Sequence, residues 1–346
     1  MNWLRDTWYQ AGWSTELAAG EPLARTILDE PILFYRTDAG GVAALHDRCP
    51  HRFAPLSAGR LEGSAVTCGY HGLAFGADGA CVRNPHGPIT SRMRVKSYKA
   101  AERHTALWIW MGDPDRADPA LIPDLSFIDE TKENARIAGY MPTRANYQLL
   151  TDNILDLSHA DYLHPTTLGG MMTQSRARSW EEAGKVVAEW MSEGCEPPPA
   201  FKAMVPEGKA DIWTQVVWSA PALMVLGTAA KPAGVPRTAD DEAFTLHNMV
   251  PETAMTTHYF FCSTRRFLPD DAGFSAFLRK ALTQAFEQED KPMLEKQQAR
   301  MGTADLWSLE PILLSTDAPA VRARRRLDTL IAAQAGHEAR TPEPVR

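Results

Sequence analysis

Two short pairs of cysteine and histidine carry the clearest chemistry in this sequence. Cys49 and His51 are two positions apart, Cys68 and His71 are three positions apart, and the two pairs lie close together in the chain. Two thiolates and two imidazoles can bind either a zinc ion or an iron–sulfur cluster. Zinc fingers usually pair cysteine with cysteine and histidine with histidine, whereas each pair here contains one of each. The order of the ligands therefore makes zinc the less favoured interpretation.

The alternation of Cys-x-His and Cys-x-x-His is typical of a Rieske [2Fe–2S] cluster, in which one iron has two Cys ligands and the other has two His ligands. Neutral imidazoles in place of two thiolates make such a cluster less negative and raise its reduction potential. The four residues therefore predict an electron-transfer centre. The other cysteines, Cys81, Cys195 and Cys262, lack the spacing of metal ligands and are expected to be small core residues.

A second group of polar side chains lies in the middle of the chain. Asp152, Asp156 and His159 recur at i, i+4 and i+7, so they are expected to share one face of a helix at about residues 146–163. His164 lies about 140° from His159 on an ideal helix, so one regular helix cannot direct both imidazoles to one ion. The proline that follows His164 disfavours helical conformation there, which would let the chain bend and bring the two imidazoles together.

Two histidines and one carboxylate form a triad that leaves coordination positions open and suits non-haem Fe(II). An acidic run late in the chain supplies the candidate carboxylates. Helical periodicity over residues 274–285 places Glu289 nearest the core, but Pro292 disturbs that register. Spacing alone therefore leaves both Glu289 and Asp290 open as the carboxylate ligand.

Together these motifs resemble the oxygenase component of Rieske non-haem iron oxygenases. The likeness rests on Cys-Pro-His and Cys-Gly-Tyr-His-Gly, on Asp-Asn-x-x-Asp-Leu-x-His-x4-His, and on the late Glu-Asp-x-x-Met-x-Glu-x-Gln-Gln. Within this family the chain looks most like the vanillate O-demethylase branch, which includes the dicamba monooxygenases. The likeness covers nearly the whole chain and is weakest at about residues 180–245.

The resemblance implies the cofactors and the iron ligands. The cofactors are a Rieske [2Fe–2S] cluster and a mononuclear Fe(II), and O2 is a co-substrate. By the resemblance, Asp290 is the carboxylate that binds the mononuclear iron together with His159 and His164. Asn153 lies beside the iron in the family pattern, although an amide on a helix surface is the simpler interpretation of this residue.

The resemblance also implies an assembly and partner proteins. Asp156 corresponds to a bridging aspartate, which accepts a hydrogen bond from His159 and meets the cluster ligand His71 of a neighbouring subunit in a head-to-tail homotrimer. The sequence contains no G-x-G-x-x-G, no flavin motif and no C-x4-C-x2-C run, so electrons from NAD(P)H must come from a separate reductase, with or without a ferredoxin.

The implied reaction is monooxygenation of a small aromatic substrate. For a methoxylated aromatic acid, hydroxylation of the methyl group gives a hemiacetal, which collapses to a phenol and formaldehyde. Ring hydroxylation, methyl hydroxylation and N-demethylation remain open, because the fold and the metals are shared and only the pocket differs. A Rieske electron carrier without catalysis is a further alternative, although it would need only about a third of the chain.

Two more groups of residues are weaker candidates for function. His247 and His258 lie on neighbouring predicted strands and could hydrogen-bond a phenol or a carboxylate in the substrate pocket, or could be ordinary core residues. An arginine cluster late in the chain could dock an acidic redox partner, although such side chains are usually solvated. The cluster consists of Arg322, Arg324, Arg325 and Arg326.

The order of elements predicts an α+β protein with two domains. Residues 1–115 are expected to form an all-β Rieske domain, because short strands alternate there with turn residues. Residues 116–346 are expected to form a catalytic domain with helices flanking an antiparallel sheet, a helix-grip-like arrangement, with a loose tail from about 337. The later strands and helices are predicted at about 185–191, 212–218, 223–229, 243–250, 256–267, 273–301 and 319–334.

Composition argues against several other classes of protein. The net charge is −7, from 36 basic and 43 acidic residues, which disfavours bulk attraction to nucleic acid or to anionic membranes. No apolar run reaches the roughly 18 residues of a transmembrane helix, and the N-terminus lacks the apolar segment of a secretory signal. Five scattered cysteines are too few for a disulfide scaffold, so a reducing cytoplasm is the expected location.

Overall fold

The computed structural model describes residues 3–202 and 204–338, and the chain divides into two compact units. One unit is Arg5–Leu125. The other comprises the described residues from Ser126 onward, together with Trp3 and Leu4. The boundary inferred from the sequence, between residues 115 and 116, stays a prediction. The loose tail expected from about residue 337 lies mostly outside the described residues.

The first unit is built from short antiparallel strands in three sheets, as the sequence predicts. β1, β10 and β11 form one sheet, β2, β3, β4 and β9 form a second, and β5 to β8 form a third. In chain order the strands are β1 Trp8–Trp13, β2 Leu23–Ile27, β3 Glu30–Arg36, β4 Val42–His46, β5 Arg60–Glu62, β6 Ala65–Thr67, β7 Ala74–Gly76, β8 Cys81–Arg83, β9 Ser97–Tyr98, β10 Ala100–Arg103 and β11 Ala106–Trp110.

The core of this unit forms around two cysteines. Cys49 and Cys68 belong to one buried cluster with apolar residues of the second and third sheets, such as Leu45 and Phe75. The tight turn between β7 and β8 helps to shape the third sheet. Gly79 in that turn has φ +78°, and a Cβ there would lie 2.0 Å from the carbonyl oxygen of Val95, so only glycine fits. The apolar packing thus fixes the positions of both thiols.

The second unit contains one large antiparallel sheet with helices, which confirms the α+β prediction. The strand order is β12-β18-β17-β16-β15-β14-β13. The strands are β12 Arg136–Thr143, β13 Arg176–Glu182, β14 Lys185–Cys195, β15 Ala210–Ser219, β16 Leu223–Pro232, β17 Ala243–Thr253 and β18 Thr256–Arg265. The helices are α1 Ser126–Glu130, α2 Tyr147–Leu155, α3 Ala160–Leu163, α4 Ala272–Leu282, a π-helix Thr283–Asp290, α5 Lys291–Met301 and α6 Ala318–Glu338.

The prediction of one continuous helix at about residues 146–163 is wrong. α2 ends at Leu155, Asp156 leaves the helical region with φ −127° and ψ 88°, and a short 3-10 turn at Leu157–His159 leads into α3. The Asp156 carboxylate accepts a hydrogen bond from the backbone N–H of Ser158 at 3.0 Å. An aspartate that caps a new turn in this way competes with continuation of the preceding helix. Asp152 and Asp156 therefore do not share a face with His159 on one helix.

The helix predicted at about residues 273–301 is also interrupted. Between α4 and α5 the chain forms the π-helix Thr283–Asp290, in which hydrogen bonds run from i to i+5. The wider turn changes which side chains face inward. Periodicity continued from α4 would bury Glu289, whereas Asp290 is the buried residue. The register change thus lies upstream of Pro292, which occupies the first turn of α5, where proline is tolerated.

The arginine cluster of α6 is not a uniform charged surface. The Arg324 side chain is buried and binds Asp152 of α2, with its Nη2 2.6 Å from Oδ2. Its Nη1 donates to the side-chain carbonyl of Gln148 at 2.6 Å. The idea that Arg324 docks an acidic partner is therefore wrong, because its guanidinium ties α6 to α2. Arg322 and Arg325 are exposed.

None of the described helices combines the length and the apolar character that are needed to cross a bilayer.

Candidate metal centres

The two loops that carry the Cys/His pairs have the same backbone plan. In the first loop, the N–H of Cys49 donates to the carbonyl of Ala54 at 2.9 Å, and the N–H of Phe53 donates back to the carbonyl of Cys49 at 2.9 Å. In the second loop, the N–H of Cys68 donates to the carbonyl of Leu73 at 2.8 Å, and that of Gly72 donates back at 3.0 Å. Both loops are therefore tight turns that begin at the cysteine.

The turn geometry requires a left-handed residue four positions after each cysteine. Gly72 occupies this position in the second loop with φ +74°, and Phe53 occupies it in the first loop with φ +61°. A non-glycine residue at such a φ is uncommon and is maintained only where its surroundings determine it. The matching turns present one cysteine and one histidine each from two facing loops.

The thiols and imidazoles converge as a cluster would require. Cys49 and Cys68 are each only 2% exposed, and their side chains are hydrogen-bonded to each other. The rings of His51 and His71 lie 4.5 Å apart between centroids. Burial raises the pKa of the Cys49 thiol, and the neighbouring Cys68 adds to this, so a cation such as a bound metal would be needed to stabilise a thiolate at Cys49. The donor set fits a cluster with two thiolate and two imidazole ligands.

Other side chains surround the two histidines, and His86 among them was missed by the sequence analysis. Tyr70 lies 4.0 Å from the His71 ring between centroids, and it is 65% exposed. The imidazole Nε2 of His86 is 2.9 Å from the main-chain oxygen of His71 and donates to it. Arg48 stacks over the exposed ring of Phe53 at 4.5 Å, which is consistent with a solvated surface pair. His86 carries no motif spacing that could have identified it.

The second constellation begins where α2 ends. The Nδ1 of His159 is 2.5 Å from the main-chain oxygen of Asp156 and donates to it, because a carbonyl can only accept. The other ring nitrogen, Nε2, therefore has its lone pair available for a metal. The resemblance implied a hydrogen bond between Asp156 and His159, and here its acceptor is the carbonyl rather than the carboxylate. The break after Leu155 makes this contact possible.

His164 is placed by the end of α3. His164 is the C-cap residue of α3, with φ −118° and ψ 44°. This conformation is outside the helical region, as the following proline predicts. The Nδ1 of His164 lies 2.6 Å from Oε2 of Glu289, and its Nε2 lies 3.2 Å from Oδ1 of Asp290. Burial by itself would lower the pKa of His164, but the two carboxylates outweigh this effect and raise it. The surroundings thus attract a cation.

Three ligand atoms meet at one point in the second unit. Ligand atoms of His159, His164 and Asp290 all lie within 4.8 Å of one another. Oδ1 of Asp290 is 3.5 Å from Nε2 of His159, and the Asp290 side chain is only 6% exposed. Asn153 donates its amide to this Oδ1 at 3.2 Å and lies 3.3 Å from Nε2 of His159. Two imidazoles and one carboxylate fit a non-haem Fe(II) site.

The π-helix explains why two adjacent carboxylates both reach His164. It delivers Asp290 to one nitrogen of the ring and Glu289 to the other. Oε1 of Glu289 also accepts a hydrogen bond from Gln284 at 2.9 Å, which holds the carboxylate in place. A carboxylate on the distal nitrogen orients a metal-binding imidazole and raises its basicity. Residue spacing left Glu289 and Asp290 open and the resemblance implied Asp290, whereas the geometry gives each carboxylate its own contact with His164.

A largely apolar cavity of about 150 Å³ adjoins these residues. Its lining includes His159, His164 and Asp290, together with apolar side chains such as Leu157 and Phe286. The volume matches what a benzene-sized ring needs. Such a cavity, open to three potential metal ligands, is the default location for a small-molecule substrate.

The two candidate histidines of the sheet differ in position. His247 lines the cavity, whereas His258 is not among its lining residues. The register pairs His247 with Phe261 and His258 with Val250, and successive residues of a strand point to opposite faces. Since 247 and 250 differ by an odd number, the two imidazoles lie on opposite faces of the sheet. His258 instead hydrogen-bonds the hydroxyl of Tyr140 at 2.9 Å.

His247 is a buried neutral imidazole with one unused nitrogen. Burial lowers its pKa to about 3, although the carboxylate of Asp290 acts in the opposite direction. Its Nδ1 lies 2.6 Å from the hydroxyl of Tyr259, and its Nε2 has no hydrogen-bond partner among the described residues. An unsatisfied polar atom in a cavity wall indicates that a ligand or water completes it.

Comparison with known proteins supports this architecture. The family model described as Rieske [2Fe-2S] domain matches residues 7–99, and the one described as vanillate O-demethylase oxygenase C-terminal domain matches residues 143–333. The iron–sulfur subunit TsaM1 of the toluene-4-sulfonate monooxygenase system of Comamonas testosteroni is 38% identical, over 96% of this chain and 98% of that protein. The oxygenase component of dicamba O-demethylase from Stenotrophomonas maltophilia is 37% identical, over 95% and 98%.

Solved structures give the same result. The crystal structure of dicamba monooxygenase bound to dicamba superposes with a TM-score of 0.89 at 36% identity, over 97% of this chain and all of that chain. The relationship shows an iron-dependent oxidoreductase with a Rieske [2Fe–2S] cluster and a mononuclear iron, working as one component of a system that includes a separate reductase. The chain therefore belongs to the Rieske non-haem iron oxygenases, as an oxygenase component of the vanillate O-demethylase type.

Proposed function

We propose that the two constellations hold the two metal cofactors. Cys49, His51, Cys68 and His71 would ligate the [2Fe–2S] cluster, which fits two buried thiols beside two accessible imidazoles. In the second unit, the mononuclear iron would be held by two imidazoles that other groups already orient, and by a buried carboxylate. These ligands are His159, His164 and Asp290.

We propose that the substrate is a small aromatic acid carrying a methoxy or methyl group, and that the reaction is hydroxylation of that group. The apolar cavity beside the three iron-ligand candidates, with the neutral His247 in its wall, carries this proposal. The relatives named for toluene-4-sulfonate, dicamba and vanillate point the same way, since each compound is an aromatic ring with an acidic substituent.

The residues of the chain bind and orient the substrate. Apolar side chains such as Leu157 and Phe286 exclude water and hold the aromatic ring. If the Tyr259 hydroxyl donates to Nδ1 of His247, the proton of the neutral ring sits on Nε2, which then donates to an acidic oxygen of the substrate. The iron, when bound, supplies the activation of O2. Asn153 supports the site by donating to the ligand oxygen of Asp290.

For a methoxylated acid the proposed reaction balances in atoms and electrons. The aryl methyl ether, O2, two electrons and two protons give a hydroxymethyl ether and water. The hydroxymethyl ether is a hemiacetal, and it breaks its C–O bond to release a phenol and formaldehyde. The two electrons come from NAD(P)H through the separate reductase, with or without a ferredoxin.

Product analysis on a panel of acids tests the function. The purified protein would be incubated with a compatible reductase, NADH and either methoxybenzoates or 4-methylbenzenesulfonate, with formaldehyde and hydroxymethyl products measured. We expect formaldehyde and the matching phenol from methoxylated acids in equal amounts. Formation of 4-(hydroxymethyl)benzenesulfonate from 4-methylbenzenesulfonate would instead assign methyl hydroxylation. Ring-hydroxylated products alone, or no oxidation of any member, would overturn the proposal.

A matched pair of variants tests the role of His247. His247→Asn should raise KM for the acid at least about tenfold, since it removes a buried hydrogen bond to a charged group. His258→Asn is the control, because that imidazole is equally buried but points to the opposite face of the sheet. Equal effects of the two substitutions would remove His247 from substrate binding.

We further propose a head-to-tail homotrimer in a reducing cytoplasm, where Cys49 and Cys68 stay reduced and bind the cluster while Cys81, Cys195 and Cys262 stay free thiols. In the trimer the carboxylate of Asp156 would meet His71 of a neighbouring subunit. Support comes from the contact of His159 with the Asp156 carbonyl, since the carboxylate then accepts only the N–H of Ser158, through Oδ1, and can still accept a hydrogen bond from another partner. Asp156→Asn should then keep iron content but strongly slow re-oxidation of a pre-reduced cluster by O2 and substrate, in a single-turnover absorbance trace. Normal re-oxidation, or an active monomer by solution mass, would refute the bridge.

A further inference from the structure

One carboxylate between the two iron-ligand candidates collects an unusual number of hydrogen bonds. Asp161 lies in α3, two residues after His159 and three before His164. Its Oδ1 accepts the backbone N–H groups of Gly170 at 2.7 Å, and of Met171 and Met172 at 3.1 Å each. Its Oδ2 accepts both the N–H and the hydroxyl of Thr173, at 2.7 and 2.6 Å. Four consecutive N–H groups therefore converge on one side chain.

The segment fastened in this way forms part of the cavity wall. Leu168 and Met172 line the cavity together with His164. The carbonyl of His164 accepts three N–H groups from this segment, those of Thr167, Leu168 and Gly169, at 2.9 to 3.2 Å. The loop at residues 165–174 thus folds back onto α3 from both of its ends.

Two glycines make this close approach possible. A Cβ at Gly169 would lie 2.4 Å from the carbonyl oxygen of Ala160, which leaves no room for a side chain. Gly170 has φ +111°, a conformation that other residues rarely adopt. Successive N–H groups that point inward from such a turn form a concave anion-binding surface. Here the anion is a side chain of the protein itself.

We infer that Asp161 is a positioning residue for the oxygenase reaction. Its carboxylate holds the 165–174 loop against α3, and so it fixes the cavity wall beside the carbonyl and ring of His164. It is not a metal ligand, because both of its oxygens are engaged by the loop. The inference rests on the proposed iron site for its functional meaning, whereas the fastening of the loop stands on the hydrogen bonds alone.

The experiment compares Asp161→Asn with a matched control in the same unit. Asparagine keeps the size of the side chain but places an amide donor against N–H groups. The control is Asp211→Asn, because Asp211 also accepts backbone N–H groups from two glycines, Gly194 at 2.8 Å and Gly234 at 2.7 Å. Asp211 does not line the cavity beside the iron-ligand candidates.

Two readouts on the iron-loaded protein decide the matter. Hydrogen exchange measured by mass spectrometry should become about tenfold or more faster at residues 168–173 in Asp161→Asn, since the variant loses bonds to a charged acceptor. The EPR signal of the Fe(II)–nitric oxide adduct should change in shape, because the wall next to the metal is no longer fixed. Asp211→Asn should alter neither. Asp161→Glu should restore part of the protection, since it keeps the charge.

Unchanged exchange at residues 168–173 would refute the inference, as would faster exchange there with an unchanged nitric oxide adduct. A similar change of the adduct in Asp211→Asn would also refute it, because the effect would then be one of general stability. If the wild-type protein forms no nitric oxide adduct, the proposed iron site fails, and hydrogen exchange alone decides whether Asp161 holds the loop.

Discussion

The two proposed metal centres of this protein are assembled in different ways. The Cys/His centre comes from two neighbouring loops, each closed by its own pair of backbone hydrogen bonds around Cys49 or Cys68. The second centre combines the end of α2, the end of α3 and a π-helix, and 125 residues separate His164 from Glu289. One centre is therefore set by local turns, and the other depends on the packing of distant segments.

This difference decides how much a sequence can reveal. A local centre is encoded by residue spacing, because a tight turn fixes the distance between its side chains. A centre assembled from distant segments depends on interruptions of regular helices, because these change the direction of its side chains. Helix capping and packing determine where such interruptions occur. Substitutions should therefore act in an all-or-none way at the first centre and in a graded way at the second.

The largest expected effect is at the local centre. His51→Ala and Cys68→Ser should each abolish the visible absorbance and the EPR signal of the [2Fe–2S] cluster, because either change removes one of its four ligands. Cys81→Ser is the matched control, since this thiol is also buried but contacts the carbonyl of Arg83 at 3.3 Å. Stoichiometric zinc in a colourless wild-type protein would contradict the cluster assignment.

At the second centre the two neighbouring carboxylates should differ in degree. Asp290→Ala should eliminate bound mononuclear iron, because it deletes a ligand, while the cluster absorbance stays. Glu289→Gln should weaken iron binding about 10- to 100-fold, which is the usual loss when a carboxylate that orients a ligating imidazole is removed. Iron analysis after titration with a chelator measures both. Iron loss in Glu289→Ala with retention in Asp290→Ala would exchange the two roles.

The structure brings together the side chains that the sequence predicted for each centre, and the errors of the sequence analysis lie where the chain departs from regular structure. Helical periodicity could not show that Asp156 ends a helix, because its carboxylate caps the next turn. Periodicity also could not separate Asp290 from Glu289, because a π-helix shifts the register. Strand parity separates His247 from His258, but parity is useful only once the register is known. A side-chain cap, a helix register and a strand pairing thus decide what residue periodicity leaves open.

Arg324 shows the same limitation on the surface of the second unit. A run of arginines in a sequence looks solvated, and only the packing of α6 against α2 buries one of them against Asp152. Arg324→Ala should lower the free energy of unfolding by about 1.5–3 kcal/mol, because it removes charge-assisted hydrogen bonds to Asp152, whose side chain is partly exposed. Arg325→Ala, at an exposed position, should change it by less than about 0.5 kcal/mol. Denaturant unfolding of both variants checks this, and equal losses would contradict the buried pair.

The smallest expected effect tests whether the first unit also depends on distant contacts. Glu30 of β3 binds Lys96 at 2.7 Å and accepts a hydrogen bond from Tyr98 at 2.5 Å. Burial opposes ionisation of this carboxyl, but hydrogen bonds from Lys96, Tyr98 and Arg5 outweigh burial and lower its pKa from 4.5 to about 2. A carboxyl with a depressed pKa in the folded state stabilises the fold above pH 4.5, and it loses that contribution as the pH falls toward 2.

Glu30→Gln should therefore be less stable than the wild type at pH 7. The difference in free energy of unfolding between the two proteins should become smaller by about 0.8 kcal/mol between pH 7 and pH 4. Only the first part of the titration lies in that interval, which keeps the change small. Denaturant unfolding of the cluster-containing protein at both pH values measures it, with the exposed Glu21→Gln as control. A difference in stability that stays constant between the two pH values would mean that the pKa of Glu30 is the same in the folded and the unfolded protein. The stability difference could become smaller at pH 4 while the cluster spectrum of Glu30→Gln stays normal at pH 7. This result would show that distant contacts stabilise this unit without shaping its local centre.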